Sequence, residues 1–250
     1  MTAKEADPEL VTSAERGLAV LAAFRPEQPA MTLSDVAKAT GLDRAAARRF
    51  LHTLLARGYL RTEGQHFRLH PAVLELGDAY LAALRLPGLA LPRLAALSAR
   101  FNEPASMAVL EGDQAVFVAH VPSNRLMAAN VAVGSRVPAY RSSLGRVLLA
   151  GKPDEWLAGY LTGESRDGLD RPALRADIAS IRRDGWLTSD EPDAGVRSVA
   201  VPVHGDGGTV AAIGISSHAD RVSHSALAET IRPALLEAAH RIEQSYAGNQ

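Results

Sequence analysis

The chain has 250 residues, 47% of them hydrophobic, no cysteine and a net charge of −1. That much apolar material builds one large core or two ordinary ones. The lack of cysteine excludes disulfides and thiolate metal sites and fits a reducing compartment. No run of about 18 apolar residues could cross a membrane, and MTAKEADPEL at the start has no apolar signal segment. The expectation is a soluble, cytoplasmic protein with no membrane partner.

SAERGLAVLAAF (13–24) predicts a first helix capped by Ser13, with Leu18, Leu21 and Ala22 as its apolar residues. PEQPA breaks it. Thr32 then caps LSDVAKAT, whose Leu33, Val36 and Ala37 share a face, and Gly41 supplies the left-handed residue that ends it. After the apolar turn residue Leu42, Asp43 caps RAAARRFLHTLLARG, which Gly58 terminates. A short helix, a glycine turn and a second helix make a helix-turn-helix unit.

On that second helix Ala47, Phe50, Leu51, Leu54 and Leu55 form the stripe to be buried. Arg44, Ala45, Arg48, Arg49 and His52 lie on or beside the other side. Between Met31 and His70 seven basic residues face three acidic ones, so this stretch carries +4 while the rest carries −5. A solvated helix face is the bland reading of such a charge run. The surrounding pattern favours phosphate binding, because small alanines let a helix approach the major groove while arginines reach bases or phosphates. YLRTEGQHFRL alternates on either side of EGQ and predicts a hairpin, the wing of a winged helix-turn-helix. The candidate DNA contacts are Thr32, Ser34, Asp43, Arg44, Arg48, Arg49, His52, Arg61 and His66.

PAVLELGDAYLAALRL (71–86) predicts an amphipathic linker helix that Pro87 and Gly88 stop, with another helix following to Phe101. The expected organisation is a winged helix-turn-helix domain over 10–71, a linker helix over 72–87 and an effector-binding and oligomerisation domain over 88–250. Beyond Phe101 the texture changes. ASMAVLEGDQAVFVAHV predicts a hairpin around Gly112 and Asp113, and RLMAANVAV a further strand. SSLGRVLLAG, entered after Pro138, predicts a helix, as do DEWLAGYL and RPALRADIASIRRDG. WLTSDE, VRSVAVPVHG and TVAAIGISS predict strands, the last two joined by GDGG, and SHSALAETIRPALLEAAHRIEQSY a closing helix. Hairpins and helices without βαβ alternation imply an α+β fold with an antiparallel sheet.

Catalytic signatures are missing. GISSH (214–218) has histidine where a nucleophile elbow needs glycine, and there is no H-E-x-x-H, P-loop or G-x-G-x-x-G motif. The eight histidines are scattered. His218 and His224, six apart without thiolates, suit surface residues better than a metal site. No metal and no cofactor are expected. RSSLGR is the best small-molecule candidate: Ser142 or Ser143 begins a helix, so hydroxyls and free N–H groups converge there on an anion. The plain alternative for each serine is a cap or turn hydroxyl. Arg125, Arg136 and Arg141 are near enough in sequence to hold a carboxylate, although a surface or dimer ion pair is the commoner role for any one of them.

RGLAVLAAF, LSDVAKATGLDRAAARRFLHTLLARGYL, VGSRVPAYRSSLGRVLLA and DEPDAGVRSVAVPV, in that order, resemble the IclR family of transcriptional regulators. NRLMAANVAVGSRVPAYRSSLGRVLLAG further resembles its Pca/Pob branch, regulators of aromatic-acid catabolism. The resemblance implies a winged helix-turn-helix and a GAF-like effector domain. It also implies operator DNA, a small organic, aromatic-type acid as effector, and a homodimer or homotetramer. Carried over residue by residue, it assigns effector contacts to Leu126, Ala129, Ser143, Leu144, Ser198 and Ser216, with Ser142 as the neighbouring hydroxyl. A family carboxylate before the DE motif falls on Thr188 or Ser189, and one family serine is replaced by Gly214. Two other classes stay open: a hydrolase or transferase with an accessory helix-turn-helix, and a structural protein that binds DNA without regard to sequence.

Overall fold

The computed structural model describes residues 10–123, 131–162, 168–190 and 195–248. The chain divides into two units, Met1–Tyr80 and Leu81–Gln250.

In the first unit, helix α1 (Thr12–Ala22) starts earlier than Ser13 capping would allow. The Ala14 and Glu15 N–H groups donate to the Val11 carbonyl, and no side chain caps the end. Its inward face is also rotated from the expected one: Val20 is buried beside Leu21 and Phe24, whereas Leu18 is 64% exposed. Helix α2 (Leu33–Thr40) begins with the expected cap, which is reciprocal. The Thr32 N–H and hydroxyl donate to the Asp35 carboxylate at 2.8 and 2.7 Å, and the Asp35 N–H donates back to Thr32 Oγ1 at 3.3 Å. Those donors hold the Asp35 carboxyl below its ordinary range, the backbone bond contributing most. Gly41 turns the chain with φ of +68°, a conformation any Cβ would strain.

Asp43 then accepts from the Ala46 N–H at 2.8 Å and starts α3 (Arg44–Ala56). Strands β1 (Leu60–Glu63) and β2 (His66–Leu69) pair from Leu60↔Leu69 to Glu63↔His66 around a two-residue turn. Met31 bonds Phe67 in both directions and ties this wing to the segment before α2. Val20, Phe24, Met31, Val36, Leu51 and Leu60 form the core.

After a 3₁₀ turn (Pro71–Val73) comes α4 (Leu74–Leu84), which buries none of its residues. The expected single helix over 71–86 is interrupted at Arg85, whose φ is +55°, and Leu86 opens α5 (Leu86–Phe101). Pro87 does not stop a helix here. It sits in the first turn of α5, where its missing N–H has no intrahelical partner to lose.

Strands β3 (Ala105–Glu111) and β4 (Gln114–Val121) form the expected hairpin, with a bulge between Met107 and Ala108. The RLMAANVAV strand falls on 125–133, of which 125–130 lie outside the described residues; Val131 to Val133 are not in a strand. Instead β5 (Arg136–Pro138) pairs with β4. Three helices follow, α6 (Ser143–Ala150), α7 (Asp154–Thr162) and α8 (Arg171–Asp184). Strands β6 (Leu187–Asp190), β7 (Val196–Gly205) and β8 (Gly208–His218) then complete one antiparallel sheet in the order β5-β4-β3-β8-β7-β6.

The closing helix is not continuous. Helix α9 (His224–Ala226) runs through a π turn (Leu227–Ile231) into α10 (Arg232–Ala247). Pro233 accounts for the widening, because a proline lacks the N–H for its i−4 carbonyl and its ring crowds that group. Helices α5 and α10 bury Leu94, Leu97, Leu235 and Ile242 against one face of the sheet. On the other face α6, α7 and α8 bury Val147, Leu148, Leu157, Leu174 and Ile178.

Two stability measurements check these assignments. Thr32→Ala is expected to cost about 1 kcal/mol in urea unfolding, the usual cost of a lost cap. The advantage of the wild type over Asp35→Asn is expected at neutral pH and to vanish as the pH falls through the depressed Asp35 pKa, since protonation removes the charged acceptor from the folded state.

Candidate functional site

The first site is the outer face of α3. Ala46, Ala47 and Leu51 are buried, and Arg44, Ala45, Arg48, Arg49 and His52 are exposed. Arg44, Arg48 and His52 are spaced four apart and stack along one side of the helix, with Arg49 beside them. None of the three arginines has a carboxylate partner among the described residues. This leaves three uncompensated guanidinium groups on a helix whose small Ala45 keeps the backbone accessible.

The other predicted contacts are dispersed. Thr32 and Asp43 are engaged as caps and fix where α2 and α3 begin. Ser34 is exposed in the first turn of α2. Arg61 and His66 are exposed on the wing, where Arg61 lies opposite Arg68 and Arg68 pairs with Glu63.

The second site lies on the sheet face beneath α6. Ser142 is the cap: its hydroxyl accepts from the Gly145 N–H at 3.1 Å. That leaves Ser143 as the first helical residue, 1% exposed, and its Oγ accepts from Ser198 Oγ at 2.7 Å. Ser189, Ser198 and Ser216 are mutual register partners on β6, β7 and β8, so three hydroxyls form a row across three strands. Ser189 is 8% exposed, and its hydroxyl has no hydrogen-bond partner among the described residues. An unsatisfied buried hydroxyl costs about 1–3 kcal/mol, so it marks a place for another polar group.

Leu144 is buried over Gly214, within 3.2 Å of where a Cβ there would lie. Gly145 allows α6 its position, because a Cβ would fall 2.1 Å from the Ala139 carbonyl oxygen. Leu126 and Ala129, with Arg125, lie outside the described residues. The other candidate cations are not in the serine row. Arg136 is exposed on β5. Arg141 lines a separate small cavity with Tyr140, Arg146 and Leu174, and Arg146 bonds Asp177 at 2.7 Å.

Two residues went unremarked in the sequence. Ser106 on β3 pairs with Gly214 on one side and His120 on the other, so all three point to the α6 face. Ser106 Oγ and His120 Nδ1 are 2.9 Å apart. Burial pushes the His120 imidazole below its usual pKa, leaving it neutral at neutral pH. The hairpin turn was the available signal. It pairs Glu111 with Gln114, but counting back from there sets Ser106 opposite Ala119, one residue short of its actual partner.

Among the described residues no group of histidines and carboxylates could hold a metal. His224 contacts Asp190 and Thr188, and His218 contacts Asp220.

Comparison with known proteins identifies both domains. Residues 13–64 match the IclR helix-turn-helix domain, and 78–244 match the bacterial transcriptional regulator IclR C-terminal domain. The chain is 40% identical over 241 residues to the Pca regulon regulatory protein of Pseudomonas putida, covering 93% of this chain and 83% of that protein. It is 30% identical over 249 residues to the p-hydroxybenzoate hydroxylase transcriptional activator of Acinetobacter baylyi, covering 94% and 91%. It is also similar to the crystal structure of an IclR homolog from Microbacterium hydrocarbonoxydans complexed with 4-hydroxybenzoate, with a TM-score of 0.82, 27% identity and coverage of 93% and 98%. These relatives are named as regulators, so the hydrolase alternative loses its ground. A basic recognition helix with its wing, and a separate sheet-based domain matching the regulatory half, together make this chain a transcriptional regulator of the IclR family.

Proposed function

We propose that the chain is a cytoplasmic regulator that releases or engages operator DNA in response to a single-ring aromatic acid, as a homodimer or homotetramer. The serine row carries the ligand part of this reading. Hydroxyls at Ser143, Ser189, Ser198 and Ser216 surround the N-terminal turn of α6, where the Ser143 and Leu144 N–H groups precede the first intrahelical bond. Together they can hold a carboxylate without burying a second charge. Leu144 supplies an apolar wall for a ring, and the family resemblance assigns the same role to Leu126 and Ala129, which lie outside the described residues. Support comes from the homolog crystallised with 4-hydroxybenzoate and from the relatives named for the Pca and p-hydroxybenzoate systems.

On the DNA side, Arg44, Arg48, Arg49 and His52 enter the major groove, with Ser34 near the backbone and Arg61 and His66 following from the wing. A second copy of the chain would supply the second recognition helix. It would also cover apolar residues that the first unit leaves in water, namely Leu10, Val11 and Leu18 around α1 and Leu74, Leu76 and Tyr80 on α4.

Two experiments test the reading. Arg44→Ala, Arg48→Ala and Arg49→Ala are each expected to weaken operator binding. A base-reading arginine should cost about 1–3 kcal/mol and relax one operator position, and a phosphate contact should lower the salt slope by about 1. Unchanged footprints for all three would remove α3 from the interface. In calorimetric titration with 4-hydroxybenzoate, Ser143→Ala and Ser198→Ala are expected to raise Kd about 10-fold or more, the loss of a hydrogen bond to a charged group. Wild-type affinity in both variants would exclude the serine row.

A further inference from the structure

The α6 face of the sheet is polar in two places rather than one. The first is the serine row on β6, β7 and β8, with Ser143 above it. The second is the Ser106–His120 contact on β3 and β4. Between the two lies Gly214, with the isobutyl group of Leu144 over it. Ser106 is the register partner of Gly214, and Ser216 is one step further along the same strand. Such diagonal neighbours on adjacent strands are about 7–8 Å apart. This is a separation that the two polar ends of a para-substituted benzene ring can span, with the ring lying across Leu144.

The chemistry of the second place differs from that of the first. The serine row adjoins unpaired helix N–H groups and suits an anion. The Ser106–His120 pair combines a hydroxyl with an imidazole that burial keeps neutral. Its Nδ1 is occupied by Ser106, and His120 Nε2 has no hydrogen-bond partner among the described residues. If Ser106 donates to Nδ1, Nε2 carries the proton and donates. If Nδ1–H donates to Ser106, Nε2 accepts. In either tautomer the remaining nitrogen matches a hydroxyl, which can both give and take a hydrogen bond, and it offers no charge to a carboxylate. A site with a buried polar group built for a substrate hydroxyl discriminates strongly against the analogue that lacks it, because the protein group is then left unpaired.

We propose that Ser106 and His120 form a second polar pole of the effector site. This pole receives a ring hydroxyl para to the carboxylate and so sets the preference for hydroxylated over unsubstituted aromatic acids. The inference rests on the aromatic-acid reading above and adds to it the residues that recognise the substituent.

The test is calorimetry on the full chain with 4-hydroxybenzoate, 3-hydroxybenzoate and benzoate. The wild type is expected to bind 4-hydroxybenzoate about 10-fold or more tighter than benzoate, with the meta isomer between them. Ser106→Ala and His120→Leu are expected to collapse that ratio towards unity while leaving benzoate affinity unchanged. Ser143→Ala, by contrast, weakens both acids in step. His120→Gln keeps a hydrogen-bonding group at this place and is expected to retain part of the preference, which keeps the test valid if His120→Leu fails to fold. A full ratio in the variants, or equal losses for both acids, overturns the inference and leaves the aromatic-acid reading standing. Wild-type protein that binds none of the three acids overturns both.

Discussion

The second unit depends on how closely α6 approaches the sheet. Gly145 lets the start of the helix close against the Ala139 turn that leads into it, since a Cβ at this position would fall 2.1 Å from the Ala139 carbonyl oxygen. That approach lets Ser143 reach Ser198 and sets Leu144 over Gly214. It also directs the open N-terminal turn at the row of hydroxyls. Ser142 consumes one of the free N–H groups by capping Gly145, and Arg146 is drawn away to Asp177 and the Tyr140 carbonyl. What remains over the sheet is therefore neutral and donor-rich. This environment attracts a carboxylate without committing a buried cation that would be costly when empty.

The first unit works on the opposite principle. Its core is small; α2 and α3 are fixed at their starts by side-chain caps, and the unit is held at the centre by a few apolar side chains. The three arginines of α3 are left outside, without carboxylate partners among the described residues, on the face that core packing does not use. A strong field at one helix inside a nearly neutral chain concentrates attraction for a polyanion where it can be read, and leaves the remainder without a general affinity for nucleic acid.

The parts of this arrangement that could be read from sequence were the local ones. Thr32, Gly41 and Asp43 each act within a few residues, so the helix-turn-helix and its arginine face follow from order and spacing alone. The wing was readable for the same reason, since its turn and alternation lie within ten residues. Features that depend on packing were not. Leu18 is as apolar as Leu21, and only the position of the rest of the unit turns one inward and the other out. Arg85 takes a left-handed conformation that nothing about an arginine announces. At the ligand face the serines on β7 and β8 were identified from resemblance. Their alignment with Ser189 needed the strand order, and the Ser106–His120 contact needed a bulge that composition does not encode.

That bulge has an evolutionary consequence. Strand side chains alternate, so one extra residue reverses every position beyond it. Val118 and Ala119 both contribute to the core against α5 and α10, whereas Phe117 and His120 belong to the opposite side. Val118 is the extra residue: without it β4 would return to plain alternation with Ala119 still opposite Met107 and His120 still opposite Ser106. Closing the bulge with Val118 retained would instead set Ala119 beside Ser106 and turn the imidazole into the apolar layer. Strand length and bulge are therefore coupled in this hairpin: a one-residue change in β4 keeps the imidazole on the ligand face only when the bulge changes with it, whereas the serine row, on other strands, is untouched by either.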